Sequence, residues 1–202
     1  MRRTFSIFAV VVIASASTAL AQTQQGAWEF SVSGSFASLS SKTESSGYGG
    51  SHTHESDAEN YFSLLLRPGF FIIEGLEIEP EIYWGAASGV PPSFSVSGNL
   101  SYNLTIPGSR VTPFALAGYG IGNGVPILEA LVSRSSDEFN IGVLNLGGGL
   151  KIFVTKQVAF RAEYRFQQYS QETTSGSGSF TTTTNRTYTF HNAFLGVSVF
   201  VQ

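Results

Sequence analysis

Hydrophobic and polar residues alternate one by one along much of the chain, and the alternation is clearest in residues 144–169. Apolar residues or glycine occupy every second position in 144–152 and again in 158–166, while the positions between them include the full charges of Lys151 and Arg161. A period of two over this length predicts two β-strands. The short polar link 155–157 predicts that these two strands form a hairpin.

The same alternation predicts eight strands in all. The links between them alternate between long and tight. Besides the two of this hairpin, the predicted strands are 28–39, 61–72, 76–84, 94–106, 110–122 and 188–201. The tight turns are 73–75, 107–109 and 155–157, and the long polar links, expected to be mobile loops, are 40–60, 85–93, 122–137 and 170–184. Short turns at one end and long loops at the other are typical of outer-membrane barrels.

Two of these strands carry features that the pattern does not resolve. Pro68 lacks a backbone N–H, so we expect a bulge or local irregularity there. The predicted strand 110–122 has apolar residues on both faces, so its phase stays open.

One face of the predicted strands is apolar and aromatic, and the other carries small polar and charged residues. In a small membrane barrel the apolar face meets lipid and the charges fill the interior. The predicted interior charges are Glu29, Arg67, Glu77, Glu79, Glu81, Lys151, Arg161, Glu163 and Arg165. Unpaired buried charges are costly, so we expect these five acids and four bases to pair. Eight strands leave an interior just wide enough for side chains, which predicts a plugged barrel.

Hairpin register predicts which of these charges meet. A turn near residue 74 places Arg67 opposite Glu81, with Glu79 diagonal to it. A turn near residue 156 places Lys151 opposite Arg161, and like charges directly opposite disfavour each other. We therefore expect Glu163 and the acids of the third strand to satisfy both bases across the lumen.

Aromatic residues near the strand ends fit two membrane-interface girdles. One girdle is predicted to contain Trp28, Phe70 and Phe160, near the tight turns. The other is predicted to contain Phe62, Trp84, Phe94 and Phe166, near the long loops.

The first 21 residues have the features of a secretory signal peptide. Arg2 and Arg3 precede a short apolar run, and Ala19-Leu20-Ala21 forms a cleavage site. We therefore predict a signal peptide at 1–21 and a barrel domain at 22–202. The remaining chain is mildly acidic, which argues against nucleic acid as a partner. It has no apolar run of about 18 residues, so spanning a membrane would require a barrel.

The run GGGLKIFVTKQVAFRAEYRFQQY at 147–169 resembles the OmpA-like and OmpX-like outer-membrane β-barrel domain family of small porin-family proteins. LEIEPEIYW at 76–84, VTPFALAGYGIG at 111–122 and HNAFLGVSVFV at 191–201 resemble its third, fifth and closing strands. The resemblance implies an all-β, eight-stranded antiparallel up-and-down transmembrane β-barrel in the outer membrane of a Gram-negative bacterium. The family commonly ends on an aromatic residue that the assembly machinery reads, whereas this chain ends in Val201 and Gln202.

These observations favour a monomeric structural and surface-contact protein. Its expected partners are outer-membrane lipid and lipopolysaccharide, the barrel assembly machinery, and a host or cell-surface ligand of the loops. Two alternatives stay open: a narrow porin-like channel for ions or small solutes, and a soluble lipocalin-like binder.

No enzyme, cofactor or metal site is predicted from the sequence. His191 is followed by Asn192 and Ala193, so the His-x-Ser pair that an outer-membrane deacylase needs is absent. The first long loop contains the possible metal ligands His52, His54, Glu55 and Asp57. Hydrated loops often have this composition, so we expect no metal site there.

Overall fold

The computed structural model describes residues 23–39, 42–47, 50–55, 59–87, 91–123, 141–177 and 180–202. Side chains in 37–60 and 171–186 are outside that description. The described residues form ten strands: β1 (Trp28–Leu39), β2 (Lys42–Gly47), β3 (Gly50–Glu55), β4 (Glu59–Ile73), β5 (Leu76–Ala87), β6 (Ser93–Asn103), β7 (Val111–Gly122), β8 (Ile141–Phe153), β9 (Val158–Ser177) and β10 (Phe180–Val201). Among these residues no helix is long and apolar enough to cross a membrane.

Eight of the strands form one closed barrel. Their order around the barrel is β1-β10-β9-β8-β7-β6-β5-β4, and every neighbouring pair is antiparallel. The first and last barrel strands, β1 and β10, pair with each other. Where they are paired, the sheet has no open edge. The predicted eight-stranded antiparallel up-and-down barrel is therefore confirmed.

Tight turns join the barrel strands at one end, which we call the turn end; the opposite end is the loop end. Gly75 and Gly108 lie in two of these turns with φ of 76° each, a backbone conformation that glycine adopts without strain. In the third turn the Thr155 hydroxyl accepts hydrogen bonds from the N–H groups of Gln157 and Val158 at 3.2 and 3.0 Å. These three turns lie where the sequence predicts them.

Two segments predicted as loops contain strands instead. Within 40–60, β2 and β3 pair as a separate two-stranded sheet from Lys42↔Glu55 to Gly47↔Gly50. Within 170–184, β9 and β10 continue their pairing as far as Ser177↔Phe180. Both hairpins are rich in Ser, Thr and Gly and lack one apolar face, so they show no period-two hydrophobic signal. Most of the predicted loop 122–137 lies outside the described residues.

The β4–β5 pairing is interrupted at Pro68, as predicted: it runs to Leu66↔Ile82 and resumes at Phe70↔Ile78. The β4–β5 register is the same at Leu66↔Ile82 and at Phe70↔Ile78, and it shifts only between Phe71 and Ile73. In that register Pro68 faces Pro80. Since neither residue has an N–H to donate, the ladder is broken there, although no extra residue is inserted.

Burial alternates along the barrel strands with the polarity expected of a membrane barrel. On β6 the inward residues include Ser97, Asn99 and Ser101, which are 5%, 1% and 0% exposed, while Val96 and Leu100 are 52% and 53% exposed. The phase left open for the fifth barrel strand, β7, is also resolved. Phe114 and Leu116 point inward, and Tyr119 and Ile121 point outward.

The turn at Gly75 provides a test of this fold. Gly75→Ala is expected to lower the free energy of unfolding by about 1–3 kcal/mol, because a side chain is strained at this positive φ. Its Cβ would also lie 2.7 Å from the Asn103 carbonyl oxygen. Urea unfolding from lipid vesicles, followed by tryptophan fluorescence, measures the change. Gly98→Ala is the matched control, because a Cβ there meets nothing within 4 Å. Equal stabilities of the two variants would contradict the turn geometry.

Candidate functional site in the barrel interior

Two strands on opposite walls supply most of the interior charge. Glu77, Glu79 and Glu81 alternate along β5 and point inward, and all three are 2% exposed or less. Arg161, Glu163 and Arg165 likewise alternate along β9 and point inward, and they are 1%, 4% and 0% exposed. In the ring of eight strands β5 and β9 are four strands apart. Their side chains therefore meet across the lumen.

Each of the two β9 arginines pairs with one glutamate of β5. Arg161 binds Glu79 through two parallel contacts, Nη1 to Oε1 at 2.9 Å and Nη2 to Oε2 at 3.0 Å. Arg165 donates from Nη1 to both oxygens of Glu81, at 2.7 and 2.8 Å. Charge-assisted pairs of this kind combine strength with defined geometry.

The carboxylate of Glu163 lies at the centre of the arginine cluster. Its Oε2 accepts from Arg67 Nη1 at 2.6 Å and from Arg161 Nε at 3.0 Å. Its Oε1 accepts from Arg165 Nε at 2.7 Å and also contacts Nη2 of the same guanidinium. One buried carboxylate is thus shared by three guanidinium groups.

Continuing the β4–β5 register from Leu66↔Ile82 places Arg67 opposite Glu81, but its shortest ionic contact is elsewhere. Arg67 Nη1 is 3.8 Å from Glu81 Oε2 and 2.6 Å from Glu163 Oε2. Its Nη2 donates to Ser33 Oγ at 2.6 Å. The residue therefore joins β4 to β9 across the lumen and to β1 beside it.

Lys151 and Arg161 are direct cross-strand partners on β8 and β9. Glu29 lies between these like charges, accepting from Lys151 Nζ at 2.5 Å and from Arg161 Nη1 at 3.3 Å. Lys151 Nζ also donates to Glu77 Oε2 at 3.0 Å and lies 3.9 Å from Glu79 Oε1. Acids from β1 and β5 thus separate and neutralise the two bases.

An amide layer lies next to the charges on the loop-end side. Gln167 donates to Asn145 Oδ1 at 2.9 Å, and Asn145 donates to Asn99 Oδ1 at 3.4 Å. Asn192 donates to Gln167 Oε1 at 2.7 Å. Asn99 in turn donates to Glu81 Oε2 at 3.4 Å, which joins the amides to the ions. This layer was not predicted from the sequence, although all four residues lie in the inward phase of their strands.

Apolar clusters lie inside the barrel on both sides of these polar layers. At the turn end the cluster contains Ala27, Phe71, Phe153, Ala159 and Phe200. Towards the loop end a second cluster contains Tyr61, Leu65, Tyr83 and Phe194, and a third contains Ile141, Val143 and Tyr169. These inward aromatic residues occupy the polar phase of their strands. They were not predicted, because the sequence pattern places aromatic residues on the outward face.

Lys151 connects the charge layer to the turn-end cluster. Its Nζ lies 5.7, 5.3 and 5.8 Å from the ring centroids of Phe71, Phe114 and Phe200. A cation within about 6 Å of a ring face is attracted by the ring quadrupole. The aromatic residues therefore stabilise the ammonium group while keeping water from it.

The aromatic residues predicted for the girdles all lie on the outward face. Near the turn end Trp28 packs on Phe70 with ring centroids 5.0 Å apart, and Phe160 is 58% exposed. Near the loop end Phe62 and Trp84 lie 6.1 Å apart, with Phe94 opposite Trp84 in the register.

The last predicted girdle residue, Phe166, lies near the loop end beside His191. Their ring centroids are 5.5 Å apart. His191 Nδ1 shares a 2.6 Å hydrogen bond with the Tyr164 hydroxyl on the outward surface.

Three interior carboxylates come close enough together to suggest a metal site. Glu29, Glu77 and Glu79 each place one oxygen within 4.8 Å of the others. Lys151 and Arg161 already contact all three carboxylates, so the group is organised as an ion-pair cluster. The side chains of His52, His54 and Glu55 lie outside the described residues, as does Asp57.

Comparison with known proteins assigns the barrel to a family. The family model described as outer membrane protein beta-barrel domain matches residues 6–199. The chain belongs to this family. Membership confirms the resemblance inferred from the strand sequences, and with it a location in the outer membrane of a Gram-negative bacterium. A comparison with curated protein sequences finds no match.

Two solved structures of outer-membrane barrels are similar to this family member. The Neisserial surface protein A (NspA) is 18% identical, with 87% of this chain and 99% of that chain covered and a TM-score of 0.52. The N-terminal beta-barrel domain of Pseudomonas aeruginosa OprF is 18% identical, with 88% and 98% covered and a TM-score of 0.47. At this identity the likeness to NspA concerns the fold.

The interior network predicts a stability effect at Arg67. Arg67→Ala is expected to lower the free energy of unfolding by about 3 kcal/mol, because it removes one partner of a buried ion pair. Urea unfolding from vesicles measures the change, and the amount of protein in the outer membrane is expected to stay the same. Arg110→Ala removes an exposed arginine at the turn end and serves as the control. A stability of Arg67→Ala equal to that of this control would contradict the network.

Proposed function

We propose that this outer-membrane barrel is a structural and surface-contact protein whose interior is plugged by its own side chains. The observation that carries the proposal is the continuous set of ion pairs and amide hydrogen bonds from β5 to β9, enclosed between apolar clusters. A structure filled in this way serves as a rigid anchor in the membrane. The proposal assigns the protein no catalytic, cofactor or metal site.

The outward surface supports direct contact with membrane lipid. Large apolar side chains such as Phe30, Val32, Ile82 and Leu100 are about half exposed, at 50%, 49%, 50% and 53%. In water such a surface would be unfavourable, whereas lipid chains cover it. Aromatic pairs at Trp28 and Trp84 lie near the two ends of this surface, where interfacial girdles are expected. This arrangement also disfavours the soluble lipocalin-like alternative.

The long connections 40–60, 122–137 and 170–184 all leave the barrel at the loop end. In our proposal this end faces the outside of the cell and meets lipopolysaccharide, host molecules or neighbouring cells. The paired hairpin β2–β3 and the extended β9–β10 hairpin support a contact role, because backbone pairing orders parts of these polar connections.

Export is proposed to use residues 1–21 as a signal peptide, leaving 22–202 as the mature barrel. The barrel assembly machinery would then insert it with the turn end towards the periplasm. Nucleic acid is not a proposed partner, since four of the nine Lys and Arg residues after position 21 pair with acids in the lumen.

Single-channel recording in planar bilayers separates the plugged anchor from the narrow channel. The unchanged protein is expected to show no steady conductance step, because the ion pairs fill the lumen. A double variant, Glu79→Ala with Arg161→Ala, removes one interior pair without changing net charge and is expected to introduce steps. The matched control is Ile82→Ala with Leu100→Ala on the outward face. Steady conductance from the unchanged protein would contradict the proposal.

Trypsin treatment of intact cells tests the proposed orientation. Lys42, Arg134 and Arg186 lie in the loop-end connections, whereas Arg110 and Lys156 lie at the turn end. We expect cleavage at one or more of the first three sites in intact cells, and cleavage at the other two only after the outer membrane is opened. Mass spectrometry of the fragments identifies the sites. Early cleavage at Lys156 would reverse the orientation.

A further inference from the structure

The seam that closes the barrel is paired along only part of its length. β1 and β10 are joined by seven residue pairs, from Trp28↔Val201 to Gly34↔Leu195. Beyond Gly34, β1 continues to Leu39 paired with β4 alone, and β10 continues from Phe194 paired with β9 alone. Within the described residues, the two strands therefore part towards the loop end.

The parted edges are complementary to each other. Continuing the register of Gly34↔Leu195 would place Ser35 opposite Phe194 and Phe36 opposite Ala193. Instead, each strand presents a row of backbone donors and acceptors that has no partner across the seam. Such an open edge is a template for pairing with another strand.

The point of parting also carries the two most exposed large hydrophobic side chains of the described residues. Leu195 is 72% exposed and Phe36 is 70% exposed, whereas Phe30 and Val32 on the closed part of β1 are 50% and 49% exposed. The edge residues 35–39 and 190–194 contain no Lys, Arg, Asp or Glu. Contact between these edges of two identical copies therefore brings no like charges together.

We infer that the parted seam is an interface for a second copy of this chain, in which the β1 edge of each protomer pairs with the β10 edge of its partner. These two edges are natural antiparallel complements, since the same strands already pair in that sense below Gly34. A two-fold axis along the membrane normal makes both contacts equivalent and keeps both barrels in the same orientation. Up to the loop-end girdle, where Phe36 lies opposite Phe62, lipid chains offer these edges no hydrogen-bonding groups. A dimer formed in this way differs from the monomer expected from the sequence.

Disulfide trapping tests this interface directly, because the chain contains no cysteine. Phe36→Cys and Ala193→Cys are placed in two separately tagged copies that are expressed together. Residues directly opposite in an antiparallel pair have Cα atoms about 4.5–5.5 Å apart, which a disulfide spans. We expect an oxidised product of twice the monomer mass that carries both tags and is lost on reduction. Val32→Cys with Val197→Cys, a pair within the closed seam, is the matched control and is expected to give no product between copies.

A second arrangement distinguishes pairing between copies from closure within one copy. The double variant Phe36→Cys with Ala193→Cys in a single chain forms an internal disulfide if the seam closes on itself. An internal disulfide without any product between copies would overturn the inference. Absence of both products would overturn it as well, and so would equal cross-linking of the control pair between copies.

Discussion

Pairing of enclosed charges is the constraint on which the barrel depends. Glu77, Glu79 and Glu81 on β5 meet Lys151, Arg161 and Arg165 on β8 and β9 in the same order along the lumen. Ions removed from water are stable only with close partners, so a register that separated these pairs would be strongly disfavoured. A slip by one residue would also turn every inward side chain outward. The ion pairs thus specify the alignment of opposite walls that share no backbone hydrogen bond.

The distribution of polarity follows from the solvent on each side of the wall. Lipid covers the outward apolar side chains, and the backbone satisfies its own hydrogen bonds by closing the sheet. Inside the barrel, apolar clusters near Phe71 and Phe194 lie on either side of the polar layers. This arrangement is the basis of the proposed role as an anchor for surface segments.

The same network bears on how the barrel closes. Near the start of β1, Glu29 accepts hydrogen bonds from Lys151 and Arg161. Further along the same strand, Ser33 accepts one from Arg67. Beyond Ser33, β1 supplies no further charged residue to the lumen, and the seam with β10 ends one residue later at Gly34. The closed part of the seam therefore coincides with the part that the interior network holds. Above it the two edges are available for contact outside the protomer.

Local spacing determined the eight barrel strands, the faces of all but β7, and the three tight turns, because a period of two and a turn glycine with positive φ act over only a few residues. The nine interior charges could be recognised in this way, and hairpin register correctly set Arg67 opposite Glu81 and Lys151 opposite Arg161. Only the tertiary structure decided that Arg67 binds Glu163 most closely, that Phe114 points inward, and that the β1–β10 seam parts. These features depend on strand tilt and on the approach of opposite walls. The spacing of residues along a single strand does not specify either one.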